Sequence, residues 1–307
     1  MEFSLVIRNS YFGFMPELPE VETINRQLSQ KITGKTISDI QVLRKKNFKG
    51  DKQSIINQKI INVQRQAKVI IIKLNNNHNL LVHLKMTGQL IYRQKLNAEK
   101  PYNHKPDGNM YDADVLPNKY TRVIISFDDS TFLLFNNLRA FGWVKVVKDK
   151  ELKEELANFS GVNPLTDDFS IDYLRTIANE TGRAIKLLLM DQKKIAGVGN
   201  IYASEALFCA RIHPKTPAKD IAAYPQKVEK LRDCIVSVLE KALKYKGSTA
   251  NDDAFRDTSG QRGEMQNHLK VYAREGKKCP QCEDKIRRIK ISGRSTFFCP
   301  TCQEKIN

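Results

Sequence analysis

No stretch of this 307-residue chain approaches eighteen consecutive apolar residues, so a membrane-spanning helix is not expected. The opening MEFSLVIRNSYFGF lacks the charged, then apolar, then small-residue order of a secretory signal. No internal repeat is visible. Acidic residues are in short supply: 34 against 51 Lys and Arg, a formal net charge of +17. That imbalance points to a polyanionic partner, with a merely solubilising basic surface as the plainer alternative. Cysteine is sparse and unevenly placed. Of six, four fall in two C-x-x-C pairs near the C-terminus. Cys209 and Cys234 stand singly in helical patterns and read as buried small residues. A reducing, cytoplasmic compartment fits this usage. The apolar fraction of 41% is ordinary for a globular protein, and the length allows two domains or one domain plus modules.

Hydrophobic periodicity divides what is present. Over 18–33, Val21, Ile24, Leu28 and Ile32 recur at intervals of three or four, the spacing of an amphipathic helix. Pro19 suits its first turn, Glu20 and Glu22 suit the positive end of its dipole, and Gly34 suits its stop. From about 36 to 147 the spacing changes to β-branched and aromatic runs broken by polar turns: TISDIQVL, KIINVQ, KVIIIKL, NLLVHL, RVIISF, TFLLF and WVKVV. Short strands without intervening helices predict an antiparallel sandwich. Residues 93–118 interrupt them and read as a long exposed loop. After about 150 the pattern is helical, ending in a long helix from Pro225 to Lys246 with Val228, Leu231, Ile235, Val238, Leu239 and Ala242 on one face. Residues 247–267 are polar and read as a mobile loop. The expected class is α+β with several domains: 15–149 for a catalytic helix and sandwich, 150–268 for a helical region and 269–307 for a cysteine-bearing hairpin.

Three motifs carry chemistry. Cys279, Cys282, Cys299 and Cys302 have the spacing of a closed, four-thiolate structural zinc site. The connecting segment carries Lys285, Arg287, Arg288, Lys290 and Arg294, which suit contact with phosphates or a groove; Phe297 and Phe298 read as the packing of a small core. In residues 191–205, Gly197 and Gly199 allow a tight backbone before a helix whose free N–H groups suit an anion, and Asn200 adds a donor. Residues 15–22, Met-Pro-Glu-Leu-Pro-Glu-Val-Glu, set carboxylates beside a proline. A free α-amine has a pKa of roughly 7.7–8.0, so a useful fraction is neutral near pH 7, where a lysine near 10.4 would need a large shift. Such an amine can attack a sugar C1′ with Glu17 as general acid or base and Glu20 nearby. The plainer reading of the same residues is an acidic helix start.

Together these motifs resemble the formamidopyrimidine-DNA glycosylase family, from Met15 to about Gln303. The resemblance implies an N-terminal helix with a β-sandwich, a helix–two-turn–helix domain and a zinc-finger β-hairpin binding one structural Zn²⁺. It implies a monomeric bacterial enzyme of base excision repair, acting on duplex DNA that holds oxidised bases or abasic sites. Pro16 then supplies the nucleophilic amine, with Glu17, Glu20 and Lys68 as its catalytic companions, Lys68 also matching a phosphate contact near the lesion. His83, Lys186, Asn200 and Arg294, the last in Arg294-Ser295-Thr296-Phe297-Phe298-Cys299-Pro300, fall on DNA-contacting positions. Met86, Arg139 and Phe141, the latter two within Asn136-Asn137-Leu138-Arg139-Ala140-Phe141-Gly142, match the residues that fill the gap left by an extruded base. Their separation along the chain favours oxidised purines (8-oxoguanine, formamidopyrimidines) over oxidised pyrimidines. Glu205 matches a structural position. Fourteen residues precede Met15 and read as a leader or a mis-assigned start. If they are retained, Pro16 has no free amine, and the reading becomes a non-catalytic damaged-DNA binder unless Lys68 substitutes. The segment Ser248 to Gln266, near which the family reads the flipped base, departs from the usual pattern at Asn251-Asp252-Asp253 and Gly263-Glu264-Met265 and leaves lesion preference open.

Overall fold

The structure is a computed structural model that describes residues 15–96, 115–249 and 254–303. The leader and most of the 93–118 loop lie outside the described residues.

Helix α1 (Leu18–Ile32) opens the fold. Glu17 and Glu20 form a reciprocal capping box at its start, and Pro19 lies in its first turn. Strands β1 (Ile37–Val42), β2 (Phe48–Lys49), β3 (Ile60–Gln66), β4 (Val69–Leu74), β5 (His78–His83), β6 (Gly88–Arg93), β7 (Thr121–Phe127), β8 (Phe132–Asn137) and β9 (Trp143–Lys148) follow. They form two sheets, ordered β1-β7-β8-β6 and β2-β9-β5-β4-β3. All pairings are antiparallel except the short β2–β9 contact. β6 escapes the sequence pattern because Gly88 and Gln89 open it, although both are buried. Val21, Ile24, Leu28 and Ile32 of α1 are fully buried in the sandwich core with Val63, Ile72, Leu80 and Phe135. Leu18, on the same helix, belongs to the other core, that of the helical region. α1 therefore stitches the two halves together at its first turn, which fixes Pro16 and Glu17 at their junction.

The second half holds α2 (Asp149–Glu155), α3 (Ile171–Asn179), α4 (Ile185–Leu189), α5 (Asn200–Cys209), α6 (Ala218–Ala222) and α7 (Pro225–Lys244). Val228, Leu231, Ile235, Leu239 and Ala242 of α7 are buried, as the helical spacing predicts, while Val238 is half-buried. The hairpin β10 (Arg287–Ile291) and β11 (Arg294–Phe298) closes the described chain; Phe297 and Phe298 are buried in it.

Two expectations need correction. Cys209 and Cys234 are not both buried small residues: Cys209 is exposed, α5 packs against α7, bringing their Cα atoms to 5.7 Å, and the sulfurs form a disulfide. Nor are the described parts of 247–267 free. Phe255 enters the sandwich core, Thr249 Oγ1 donates to the Phe255 carbonyl, and Thr258 receives the N–H of Tyr92 on its own carbonyl. Polar composition there reflects side chains that bond to α1, not solvation: the Gln27 amide donates to Asp257 and accepts from Thr258.

Candidate active site

Helix α5 begins at Asn200, and its first N–H groups have no partners within the helix. Glu17 takes them. Its carboxylate accepts from Gly199 N at 2.8 Å, Ile201 N at 2.9 Å and Tyr202 N at 3.3 Å. Glycine is required at 199, because a Cβ there would lie 2.4 Å from the Glu17 carboxyl and 2.7 Å from Lys68 Nζ. Lys68, in the turn between β3 and β4, is 3% exposed and therefore shares this buried space. Burial raises the Glu17 pKa against the pull of Lys68 and the three N–H groups. Burial likewise lowers that of Lys68 against the attraction of Glu17 and Glu20. Burial thus works against the charged form of each group, while each charge attracts the other.

Glu20 is one turn further along α1. Its Oε2 accepts from Glu17 N at 2.8 Å, and its Oε1 accepts from Ser248 N at 2.7 Å and from the Tyr202 hydroxyl. Burial, then the Glu17 charge, pushes its pKa up to about 7. Gly247, at φ +80, presses against it so closely that a Cβ would lie 2.7 Å from Glu20 Cγ. Pro16 is buried at the head of the same helix, its nitrogen joined to the half-buried Met15.

Cations surround this head. Lys186 is 1% exposed and donates to Thr296 Oγ1 at 2.7 Å, tying α4 to β11 rather than pointing outward. Burial lowers its pKa to about 7, with Glu17 opposing and Arg294 reinforcing. Asn200 donates to the Ser295 carbonyl at 2.9 Å. Arg294 is exposed on the hairpin and within electrostatic reach of both Lys68 and Lys186. Pro16, Glu17, Glu20, Lys68, Lys186, Asn200 and Arg294 accordingly converge. Glu205 holds a separate turn, accepting from Lys270, Val271 and Tyr272 N at 2.8, 2.9 and 2.8 Å.

His83 lies across from Val69, the neighbour of Lys68, and is 3% exposed between Trp143 and Phe159. Burial and then the Lys85 charge lower its pKa to about 3, so it is neutral, and its Nδ1 accepts from Lys85 N at 3.0 Å.

Met86, Arg139 and Phe141 form a second cluster. Arg139 is exposed and its Nη1 lies 3.4 Å from Met86 Sδ, while Phe141 is 57% exposed. The turn that presents them is fixed from below. Asn47 donates to the carbonyls of Ala140 and Gly142 at 3.1 and 2.6 Å, Asn137 Oδ1 accepts from Ala140 N at 2.9 Å, and Thr87 Oγ1 accepts from Arg139 N at 3.0 Å. Asn47, Thr87 and Tyr202 escape sequence reasoning because their partners are remote in the chain.

The sulfurs of Cys279, Cys282, Cys299 and Cys302 all lie within 4.8 Å of one another. Four thiolates around one Zn²⁺ at ~2.3 Å would stand about 3.8 Å apart, so this donor set fits the metal.

Three family models cover the chain in order: the formamidopyrimidine-DNA glycosylase N-terminal domain over 15–144, its H2TH domain over 160–254, and the zinc finger found in FPG and IleRS over 276–305. The chain belongs to the formamidopyrimidine-DNA glycosylase family. The glycosylase of Pelotomaculum thermopropionicum is 37% identical over 294 residues, spanning 92% of this chain and 97% of that one. That of Wolbachia from Drosophila simulans is 38% identical over 288 residues, spanning 92% and 98%. The MutM (Fpg) crystal structure from Thermus thermophilus superposes with a TM-score of 0.80 at 32% identity, covering 95% of this chain and all of that one. The Lactococcus lactis Fpg, solved with DNA containing an abasic site, matches with a TM-score of 0.79 at 28% identity, over 94% and 100%. As a family member the chain is a DNA-repair glycosylase whose hairpin holds one structural zinc. Among its described residues, no helix is long and apolar enough to cross a membrane.

Proposed function

We propose that this glycosylase removes oxidised purines, 8-oxoguanine and formamidopyrimidines, from duplex DNA and then cleaves the strand through a Schiff base on Pro16. The observation that carries the reading is the pair of buried carboxylates at the Pro16 end of α1, each held by fixed donors. The amine attacks C1′; the glycosidic bond breaks and the base departs with the bonding pair and a proton. Glu17, its pKa raised by burial, gives a proton to the sugar ring oxygen as the ring opens. The resulting iminium ion draws electrons from C2′, which loses a proton as the C3′–O bond breaks. Lys68, Asn200 and Arg294 hold the flanking phosphates, and buried Lys186 holds the strand that carries Arg294 through Thr296. Met86, Arg139 and Phe141 enter the space vacated by the base.

In the full chain the Pro16 nitrogen is in peptide linkage to Met15. The reading therefore requires release of that nitrogen, and the start of the family match at Met15 supports it. Borohydride trapping on an 8-oxoguanine:cytosine duplex, with peptide mapping of the adduct, tests the proposal. The expected adduct is on Pro16. No adduct from protein beginning at Pro16 would overturn it, and an adduct on Lys68 would move the nucleophile. Matching rates on thymine glycol and 8-oxoguanine would argue against the purine preference.

A further inference from the structure

Tyr202 is a buried titratable group that the chemistry above leaves without a task. It lies in the first turn of α5 and is 1% exposed. Its two donors go to different acids: its backbone N–H to Glu17, its hydroxyl to Glu20. Glu20 is thereby gripped from three elements: by Glu17 N at the head of α1, by Tyr202 on α5 and by Ser248 N just after α7. Of these three grips, the hydroxyl alone comes from a side chain. Backbone N–H groups bind a carboxylate whatever the residue; a hydroxyl is present only where the sequence supplies one. The charged and titratable groups facing Glu20 are Glu17 on α1, Lys68 from the β3–β4 turn and Tyr202 itself. Burial and the charges of Glu20, Glu17 and Glu205 keep the proton on the Tyr202 oxygen, so this residue donates and does not titrate in the working range.

Resting on the reading that Pro16 supplies the attacking amine, we propose that Tyr202 is a positioning residue for Glu20. Its hydroxyl holds this carboxylate ionised and aligned at the head of α1. There it accepts the proton that the Pro16 nitrogen sheds as the N–C1′ bond forms. Glu20 releases that proton to the departing base through solvent as the C1′–base bond breaks, so the bonding pair and the proton leave together. A hydrogen bond to a carboxylate favours its charged form, and its loss makes the group harder to ionise.

Tyr202→Phe removes one oxygen and keeps the ring. Wild-type trapping at Pro16 is measured first and judges the underlying reading alone. Single-turnover trapping by the variant across pH 5–9 is then expected to show the acidic limb moved upward by about one pH unit, and the rate near pH 7 reduced about five- to tenfold. An unmoved limb with a slower plateau would mean ordinary packing and overturn the proposal. A second readout needs no catalysis: denaturant unfolding of wild type, Tyr202→Phe, Glu20→Gln and the double variant at pH 5 and pH 8. The coupling between the two residues is expected to grow at pH 8, where Glu20 is ionised; equal coupling at both pH values would also overturn it.

Discussion

The carboxylates at the head of α1 and the exposed turn around Arg139 are built by opposite rules. Glu17 and Glu20 are 2% and 1% exposed, and donors from distant segments surround them. Arg139 and Phe141 are exposed, Arg139 touching Met86, and the backbone beneath them is fastened by Asn47, Thr87 and Asn137. The first arrangement suits chemistry, because fixed donors in a poorly hydrated site shift ionisation and need no reorganisation during reaction. The second suits the proposed insertion into DNA, because its side chains are exposed while their starting point is rigid. One region exchanges solvent for partners within the chain; the other waits for partners in the substrate.

Loss of the hairpin packed against the first region should have the largest effect. Zinc removal, or Cys299→Ser at a fully buried ligand, is expected to unfold the hairpin and take Arg294 and the Lys186 anchor with it. DNA affinity measured by fluorescence anisotropy should fall by about 100-fold or more; retained affinity in metal-free protein would make the hairpin dispensable. Glu17→Gln should spare the exposed turn but lower base excision by roughly 10²–10⁴-fold, the usual scale for a general acid. If single-turnover rates fall less than tenfold, Glu17 is an anchor and not the acid.

A third test concerns ionisation alone. The Glu20 pKa rises from 4.5 to about 7 on folding, so the native state holds a proton that the unfolded chain has released. Its contribution is therefore unfavourable above pH 7, absent below pH 4.5, and stability declines as pH rises between them. Relative to Glu20→Gln, wild type should lose on the order of 3 kcal/mol across that window. Parallel pH profiles from urea titrations would contradict this. The smallest effect belongs to the exposed turn: Arg139→Ala should leave unfolding unchanged while reducing discrimination of the base opposite the lesion by about 1–3 kcal/mol. Equal wild-type rates against all four opposite bases would remove that role.

The same contrast governs what could be read in the sequence. α1, the main strands and α7 are legible because each buries a regular set of apolar side chains, and such periodicity is local. The zinc ligands and the Pro16–Glu22 run are legible because their function depends on spacing. Tyr202 is not, since its hydroxyl partner is 182 residues away. β6 hides because Gly88 and Gln89 begin it, although its register with β8 is regular. Cys209 and Cys234 appear unrelated until α5 and α7 pack. Lys186 and His83 read naturally as surface groups, yet both are buried, and only the folded neighbours reveal it.

The donors that hold Glu17 and Glu20 lie at Gly199, Ile201, Tyr202 and Ser248, far downstream of the helix they complete. Synthesis runs from the N-terminus, so a nascent chain presents Pro16 and both acids long before any of these donors exists. On the proposed reading, such a half-made chain has the reactive residues but not the mould that tunes them. The order of translation thus delays the machinery's competence until the helical region has folded around it.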